Sequence, residues 1–222
     1  MSKSTPLDDF ALGLGVYSLP EAARIIGRSF GHASPRQLRD WINDGITPAT
    51  RGDRGMLLTF GDLVSLEIVS RFRGCQVSLQ RVRRFEAVLR EHFPELDRPF
   101  ANNIFFTDGS RIWAEYGDDE PRHSIELVGK HRGHFVWTDV IESFATRIEY
   151  ADTGEAIGWD LTDWVEIKPS VQFGSPVVKG TRVTVDTVAA NLEVGTTSEV
   201  ADWYGLTVDQ VVGVRDYLAN AA

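Results

Sequence analysis

The chemistry most legible in this chain belongs to four arginines, Arg36, Arg39, Arg51 and Arg54. A guanidinium keeps its charge and offers a planar fork of donors that matches a phosphate or the major-groove edge of guanine. Arg36 and Arg39 stand one helical turn apart. Arg51 and Arg54 stand in the glycine-bearing run RGDRG close behind them. Phosphate contacts from such a set would dominate affinity and make it fall steeply with salt. Arg36 or Arg39 reading a guanine would add roughly 1–3 kcal/mol of discrimination. With Gln37 and Asn43 as weaker candidates for adenine, the candidate DNA-contacting set is Ser34, Arg36, Gln37, Arg39, Arg51 and Arg54. Trp41 shares a face with Leu38 and reads as core.

The elements that must hold these residues follow from caps and periodicity. Ser34 caps a helix, Pro35 suits its first position, and Gln37 completes a Ser-x-x-Gln capping box. Leu38, Trp41 and Ile42 form its inward face, and Asp44-Gly45 ends it. Thr47-Pro48 and the Gly52–Gly55 stretch then predict a tight basic loop. A helix with outward arginines followed by an arginine-tipped hairpin is the pattern of a winged helix-turn-helix. Upstream, Ser18 caps a helix with Leu19, Ala22, Ala23 and Ile26 inward, closed by Gly27. Residues 28–33 are a longer connection than a minimal helix-turn-helix has. Downstream, Leu57, Leu58 and Phe60 read as a short strand. Asp62 begins a helix with Leu63, Leu66, Val69 and Phe72 inward, ended by Arg71, Arg73 and Gly74. Ser78 caps another with Leu79, Val82, Phe85, Val88 and Leu89 inward. Its arginines, Arg81, Arg83, Arg84 and Arg90, suit phosphate contacts and a solvated face equally.

A net charge of −9 over 222 residues looks wrong for a nucleic-acid binder until the chain is divided. Residues 1–90 hold Lys3 and twelve arginines against nine acids, a balance of +4, which leaves −13 for the remainder. Such asymmetry suggests a basic binding module joined to acidic partner-binding modules. No apolar run spans a bilayer, and the start MSKSTPLDDF lacks a signal-peptide core, so a cytoplasmic protein with no membrane partner is expected. The lone Cys75 excludes a disulfide framework within the chain.

Four segments are expected: a flexible lead over 1–14, the winged helix-turn-helix over 15–95, an α+β middle segment over 96–160, and a three-helix segment over 161–222. In the middle segment, Asn103–Thr107 and Ser110–Trp113 flank Asp108-Gly109 as a predicted hairpin, Ser124–Val128 and His134–Trp137 read as further strands, and Asp139–Tyr150 has helical spacing. His123, His131 and His134 are scattered, and a metal site needs a tighter geometry. In the last segment Val165–Pro169 is a strand, and Phe173–Val183 is a glycine-punctuated turn or hairpin. Thr184, Thr196 and Thr207 then cap three helices, the first over Val185–Val194, the last two with boxes completed by Glu199 and Gln210. Lys179 and Arg182 are cations on that loop. Lys179-Gly180-Thr181 is not a P-loop, since no Gly-Lys-Ser/Thr run opens a helix after a strand. The fold class expected is α+β, mainly α. No nucleophile–base constellation is legible, so a non-enzyme without metal or cofactor is expected.

Two resemblances sharpen this. The runs YSLPEAARIIG, SPRQLRDWINDG, LLTFGDLVSLEIVSRFRG and VSLQRVRRF resemble, in order and spacing, the DNA-binding domain of MerR-type regulators over roughly residues 15–93. The long dimerising helix of that family does not follow, as Pro94 and Pro99 interrupt it. The stretch VEIKPSVQFGSPVVKGTRVTVDTVAANLEVG with LTVDQVVGVRDYL closely resembles a small bacterial domain family of unknown function, marked by FGxPxxxGTR and three helices. Members of that family are commonly linked to type II toxin–antitoxin operons. A MerR-like head joined to this domain looks like the longer VapB-type antitoxins. The resemblance implies a homodimer or higher homo-oligomer on double-stranded operator DNA, associated with the nucleoid when bound. It also implies inhibition of a PIN-like ribonuclease toxin, with Lys179 and Arg182 as toxin-binding candidates. The alternative is a stand-alone MerR-like one-component regulator, sensing a small apolar ligand through Phe105, Phe106, Trp113 and Trp137.

Overall fold

A computed structural model describes residues 15–29, 33–47, 50–52, 55–107 and 143–219. These elements make a mainly α, α+β protein with small antiparallel sheets. Chain contacts divide it into two units, Tyr17–Ala156 and the residues from Ile157 onward.

The first unit opens with β1 (Tyr17–Ser18), α1 (Leu19–Ser29), α2 (Pro35–Asn43), β2 (Thr50–Gly52) and β3 (Gly55–Leu58). Ser18 and Glu21 form a reciprocal cap, the Ser18 amide donating to Glu21 Oε2 at 2.8 Å. Helix α1 runs through Gly27 to Ser29 rather than closing there, because an isolated glycine weakens a helix without ending it. The β strands form a sheet ordered β1–β3–β2, with Tyr17 opposite Leu58 and Arg51 opposite Met56. The pairing of β1 with β3 is a long-range contact that local patterning does not announce.

Two helices, α3 (Phe60–Gly74) and α4 (Leu79–His92), complete the scaffold. Phe60 belongs to α3 and not to a strand, because Thr59 caps the helix in a box with Asp62. Leu63, Val64, Leu66, Ile68, Val69 and Phe72 are all fully buried, so α3 is the central post of the unit. Buried on the same helix, Glu67 and Arg71 pair at 2.7 Å. The Arg71 guanidinium also lies 4.3 Å above the Phe144 ring. Burial pushes the Arg71 guanidinium down while Glu67 opposes the shift; such a group stays charged throughout.

The middle segment differs from expectation. A 3₁₀ turn at Pro99–Ala101 and a short helix α5 (Asn103–Thr107) replace the first arm of the predicted hairpin. The turn and α5 carry Phe100 and Phe105 into an aromatic cluster with Phe72 and Phe85, at centroid separations of 5.2–6.5 Å. Residue 95 is therefore no boundary, since Phe100 and Phe105 beyond it complete the core of α3 and α4. Phe106 packs against Phe144 and Tyr150. Phe105 is thus core and Phe106 is half-buried beside it, and Trp113 and Trp137 lie outside the described residues. Asp139–Tyr150 is not one helix. A single helical turn at Ser143–Ala145 precedes strand β4 (Ile148–Tyr150), whose burial alternates. Phe144 and Ile148 satisfy both periods, and the alternation at Glu149 decides for the strand. The remaining predicted hairpin arm, both further strands and all three middle histidines also lie outside the described residues.

The second unit contains β5 (Ala156–Asp160), β6 (Val165–Ile167) and β7 (Val177–Val178), antiparallel in that order. Helices α6 (Val185–Leu192), α7 (Thr197–Tyr204) and α8 (Val208–Ala219) complete it. Thr184, Thr196 and Thr207 each accept from an amide three residues on, and Gly205 ends α7 in left-handed backbone. Helix α6 stops at Leu192, two residues short of the predicted end. Val165, Val178, Val185, Val188, Val200, Val211 and Val214 form the core with Tyr217. Helices this short are marginal alone and are held by that shared valine core. No described helix is long and apolar enough to cross a membrane.

Two substitutions test this packing. Asp62 is buried and pairs with Arg98 at 2.7 Å. Asp62→Ala should remove about 3–5 kcal/mol of stability, as expected for breaking a buried charge pair, read as a lowered urea midpoint. Gly213 in α8 lies against Trp164, where an added Cβ would sit 2.2 Å from Trp164 Cδ1. Gly213→Ala should therefore cost about 1–3 kcal/mol by overpacking, against the helix propensity gain of roughly 1 kcal/mol. Adding Trp164→Ala should recover most of the loss in thermal melts.

Candidate nucleic-acid interface

Helix α2 is amphipathic because the sequence places Leu38, Trp41 and Ile42 on one stripe, and all three are buried. The opposite face carries Arg36, Arg39, Asp40 and Asn43, all exposed. Arg36 and Arg39 are three residues apart, so their side chains leave the same side of the helix. Neither has an ion pair among the described residues. Gly45, at φ +86°, takes the left-handed conformation that ends the helix. Ile46 and Thr47 then turn inward, and both are buried.

Ser34 and Gln37 are already engaged. The Gln37 amide donates to Ser34 Oγ at 3.2 Å, and the Ser34 amide donates to Gln37 Oε1 at 2.9 Å. Reading adenine needs the amide oxygen of Gln37 as acceptor and its nitrogen as donor. The cap uses one of the two acceptor sites of that oxygen and holds the Gln37 side chain at the helix start, so these two residues position the helix while Arg36 and Arg39 are its exposed cations. The hairpin β2–β3 places the Arg51 backbone opposite Met56. Arg54 lies outside the described residues.

What fixes α2 beside the hairpin is Asp62, whose sequence signature announces only a helix start. It is 1% exposed. Its Oδ1 accepts from Thr47 Oγ1 at 2.8 Å and from Arg98 Nε at 2.7 Å. Its Oδ2 accepts from the amide and hydroxyl of Thr59, both at 2.8 Å. The Thr59-x-x-Asp62 spacing is the one local signal for this role; the partnership with Thr47 and Arg98 has none. Gly61 leaves room for Arg98, since a Cβ there would stand 2.8 Å from Arg98 Cδ.

The remaining arginines of the unit divide by use. Arg73 Nη1 donates to the Val77 carbonyl at 2.6 Å, and Arg90 pairs with Glu86 one turn away. Burial raises the Glu86 carboxyl, opposed by Arg90. Arg83 on α4 and Arg24 on α1 are exposed; the latter was not singled out by sequence.

In the second unit, Lys179 and Arg182 sit on the turn after β7. Lys179 is exposed and its Nζ is 2.5 Å from Asp160 Oδ2. The turn is built by Gly180, at φ +76°, whose amide donates to the buried Glu166 at 2.9 Å. Arg182 is exposed, and its carbonyl accepts from Gln172 Nε2 at 3.0 Å, while its guanidinium has no ion pair among the described residues. The two cations predicted to act together thus differ, one being held by a carboxylate of its own unit.

Comparison with known proteins bears on the two ends of the chain unequally. The model of a family described as a protein of unknown function (DUF433) matches residues 165–218, which carry the Lys179–Arg182 turn and the three helices. No curated protein matches this chain. Among solved structures, the X-ray crystal structure of Rv2018 from Mycobacterium tuberculosis is similar, with a TM-score of 0.73 at 23% identity. The alignment covers 91% of this chain and 96% of that one. At that identity the likeness is one of fold.

The division of labour on α2 has a direct check. Ser34→Ala should lower stability by about 1 kcal/mol through loss of the cap. Arg36→Ala and Arg39→Ala should each stay within about 0.5 kcal/mol of the parent. Thermal melts of the three variants measure the difference.

Proposed function

We propose that this chain is a DNA-binding antitoxin of a type II toxin–antitoxin system. In this reading its first unit binds operator DNA to regulate transcription, and its second unit binds and inhibits a PIN-like ribonuclease. The observation that carries the DNA half is the exposed pair Arg36 and Arg39 on a capped helix, with the β2–β3 hairpin directly after it. A helix with that face suits the major groove, and a hairpin beside it suits the neighbouring phosphates. We read the head as MerR-like on the order and spacing of its sequence motifs. One such head covers too few base pairs for genomic specificity, so a dimer on a palindrome is the working form.

The toxin half is supported by the resemblance of residues 164–219 and by the exposed Arg182. A ribonuclease of this class holds clustered metal-binding carboxylates. A guanidinium entering that cluster would compete with the metal for the same negative field. Arg182 suits this better than Lys179, which would first have to leave Asp160. That exposed pair is worth about 0–1 kcal/mol, so Lys179 remains an auxiliary contact. The chain itself is read as non-catalytic, in the cytoplasm and on the nucleoid when operator-bound.

Two measurements test the halves separately. Fluorescence anisotropy with the DNA upstream of the gene should show binding whose logarithmic salt slope drops by about 1 for each arginine removed from a phosphate. Arg36→Ala with Arg39→Ala should weaken it by at least about tenfold. Binding unchanged in that double variant would refute the assignment of α2. Co-expression with the adjacent reading frame should yield a stable complex with ribonuclease activity suppressed, and Lys179→Ala with Arg182→Ala should release that activity. Full inhibition by that variant would remove the turn from the toxin interface.

A further inference from the structure

Two aromatic surfaces of the second unit face solvent. Phe173, 71% exposed, stands in left-handed backbone at φ +56°, beside Gln172 at φ +47°. Gln172 Nε2 bonds the Arg182 carbonyl, and the Ser175 amide bonds that of Gln172 at 3.0 Å. This ring therefore belongs to the loop already assigned to Arg182. The other surface is the corner where α6 meets α7. Val194 is 80% exposed there and Trp203 53%. The Trp203 ring lies over Gly195, where an added Cβ would be 2.6 Å from Cη2. Asn191 Nδ2 donates to the Tyr204 hydroxyl at 2.9 Å, which draws the second ring of α7 to the end of α6 as well.

Charge marks this corner. Between Arg182 and Arg215 the chain has five acids and no lysine or arginine. Glu199 is spent on its capping box with Thr196. Glu193 and Asp202 are exposed, and neither has an ion pair among the described residues. Arg215, which shares a groove with Glu193, lies 4.0 Å from Asp216, so the corner keeps its negative balance. Glu193 is the C-terminal cap of α6, and Asp202 is in the last turn of α7. A helix C-terminus is itself partly negative and disfavours a carboxylate. The fold thus gains nothing from either acid. Each directly precedes an exposed apolar residue, Val194 and Trp203. An indole flanked by carboxylates suits a guanidinium or an ammonium, the ring through its quadrupole and the acids through their charge.

We infer that the α6–α7 corner docks on the cationic groove in which the ribonuclease holds its RNA, so that this chain and RNA compete for one surface. This rests on the toxin reading and adds a second contact of opposite sign to the Arg182 one. A ribonuclease must line its RNA path with lysine or arginine to hold the phosphates. The corner offers those cations carboxylates in place of phosphates, and Trp203 and Tyr204 in place of bases. One contact seeking carboxylates and another seeking cations also fixes the orientation of the complex.

Biolayer interferometry of the full-length chain on the ribonuclease encoded by the adjacent reading frame tests it. Glu193→Lys with Asp202→Lys should weaken binding by about thirtyfold, less so as salt is raised. The melting temperature of that variant should hold or rise, since both lysines suit a helix C-terminus. Trp203→Ala should weaken binding by at least about tenfold. The parent should displace fluorescent oligouridine from the ribonuclease in EDTA, which stops cleavage, and the lysine variant should displace it poorly. A lysine variant that binds as tightly as the parent, or a parent that binds the ribonuclease together with the RNA, would overturn the inference and leave the toxin reading standing. Altered self-association with ribonuclease binding intact would overturn it in favour of a second copy at the corner. A parent that binds no ribonuclease would overturn the toxin reading and this inference with it.

Discussion

The first unit depends on one carboxylate. Asp62 accepts four hydrogen bonds in a site almost closed to water. That number fills the acceptor capacity of its two oxygens. The bonds reach three different parts of the chain: Thr47 on the path from α2 to the hairpin, Thr59 at the end of β3, and Arg98 beyond α4. A charge in such a place is costly unless every lone pair is used. The same requirement that satisfies the carboxylate therefore sets where α2, the hairpin and the segment after α4 must lie. The candidate interface inherits its geometry from this buried site, although Asp62 itself is too enclosed to touch DNA.

Around that hub, α3 shows how a helix can be buried on nearly all sides and still carry ionic groups. Glu67 and Arg71 are on it one turn apart, and Phe144 supplies an aromatic face to the guanidinium. The aromatic cluster of Phe72, Phe85, Phe100 and Phe105 then accounts for the course of the middle segment. Rings of this size bury enough area to outweigh a local turn preference, so the backbone after Pro99 coils to deliver them. The consequence for function is that these aromatics build the scaffold on which α2 and the hairpin stand.

The second unit has a different economy. Its core is mostly valine, its helices are short, and its tight contacts come where a glycine admits an indole ring, Trp164 on Gly213 and Trp203 on Gly195. These contacts leave each indole about half in water. The loop between β6 and β7 goes further and holds Phe173 outward in strained backbone. Trp159 and Tyr217 are buried in the same unit, so its exposed rings, Trp164, Phe173 and Trp203, are particular positions and not a general pattern.

The sequence by itself determined the local features. Ser34 with Gln37, Thr196 with Glu199, and Thr207 with Gln210 are capping boxes whose spacing is a property of one helical turn, and each forms as read. The amphipathic stripes of α2 and α4 were equally legible, because a 3.6-residue period needs no information from elsewhere in the chain, whereas α3 is buried well beyond the one face its periodicity gave. Only the tertiary structure decided what depends on distant partners. Asn103–Thr107 became a helix because Phe105 had a cluster to enter. Asp62 became a hub because Thr47 and Arg98 converge on it, and Lys179 was separated from Arg182 because Asp160 at the end of β5 reaches it. Phe173 carries no local sign of its left-handed backbone, since an ordinary aromatic side chain does not select that region. The hydrogen bonds that impose it come from the fold around it.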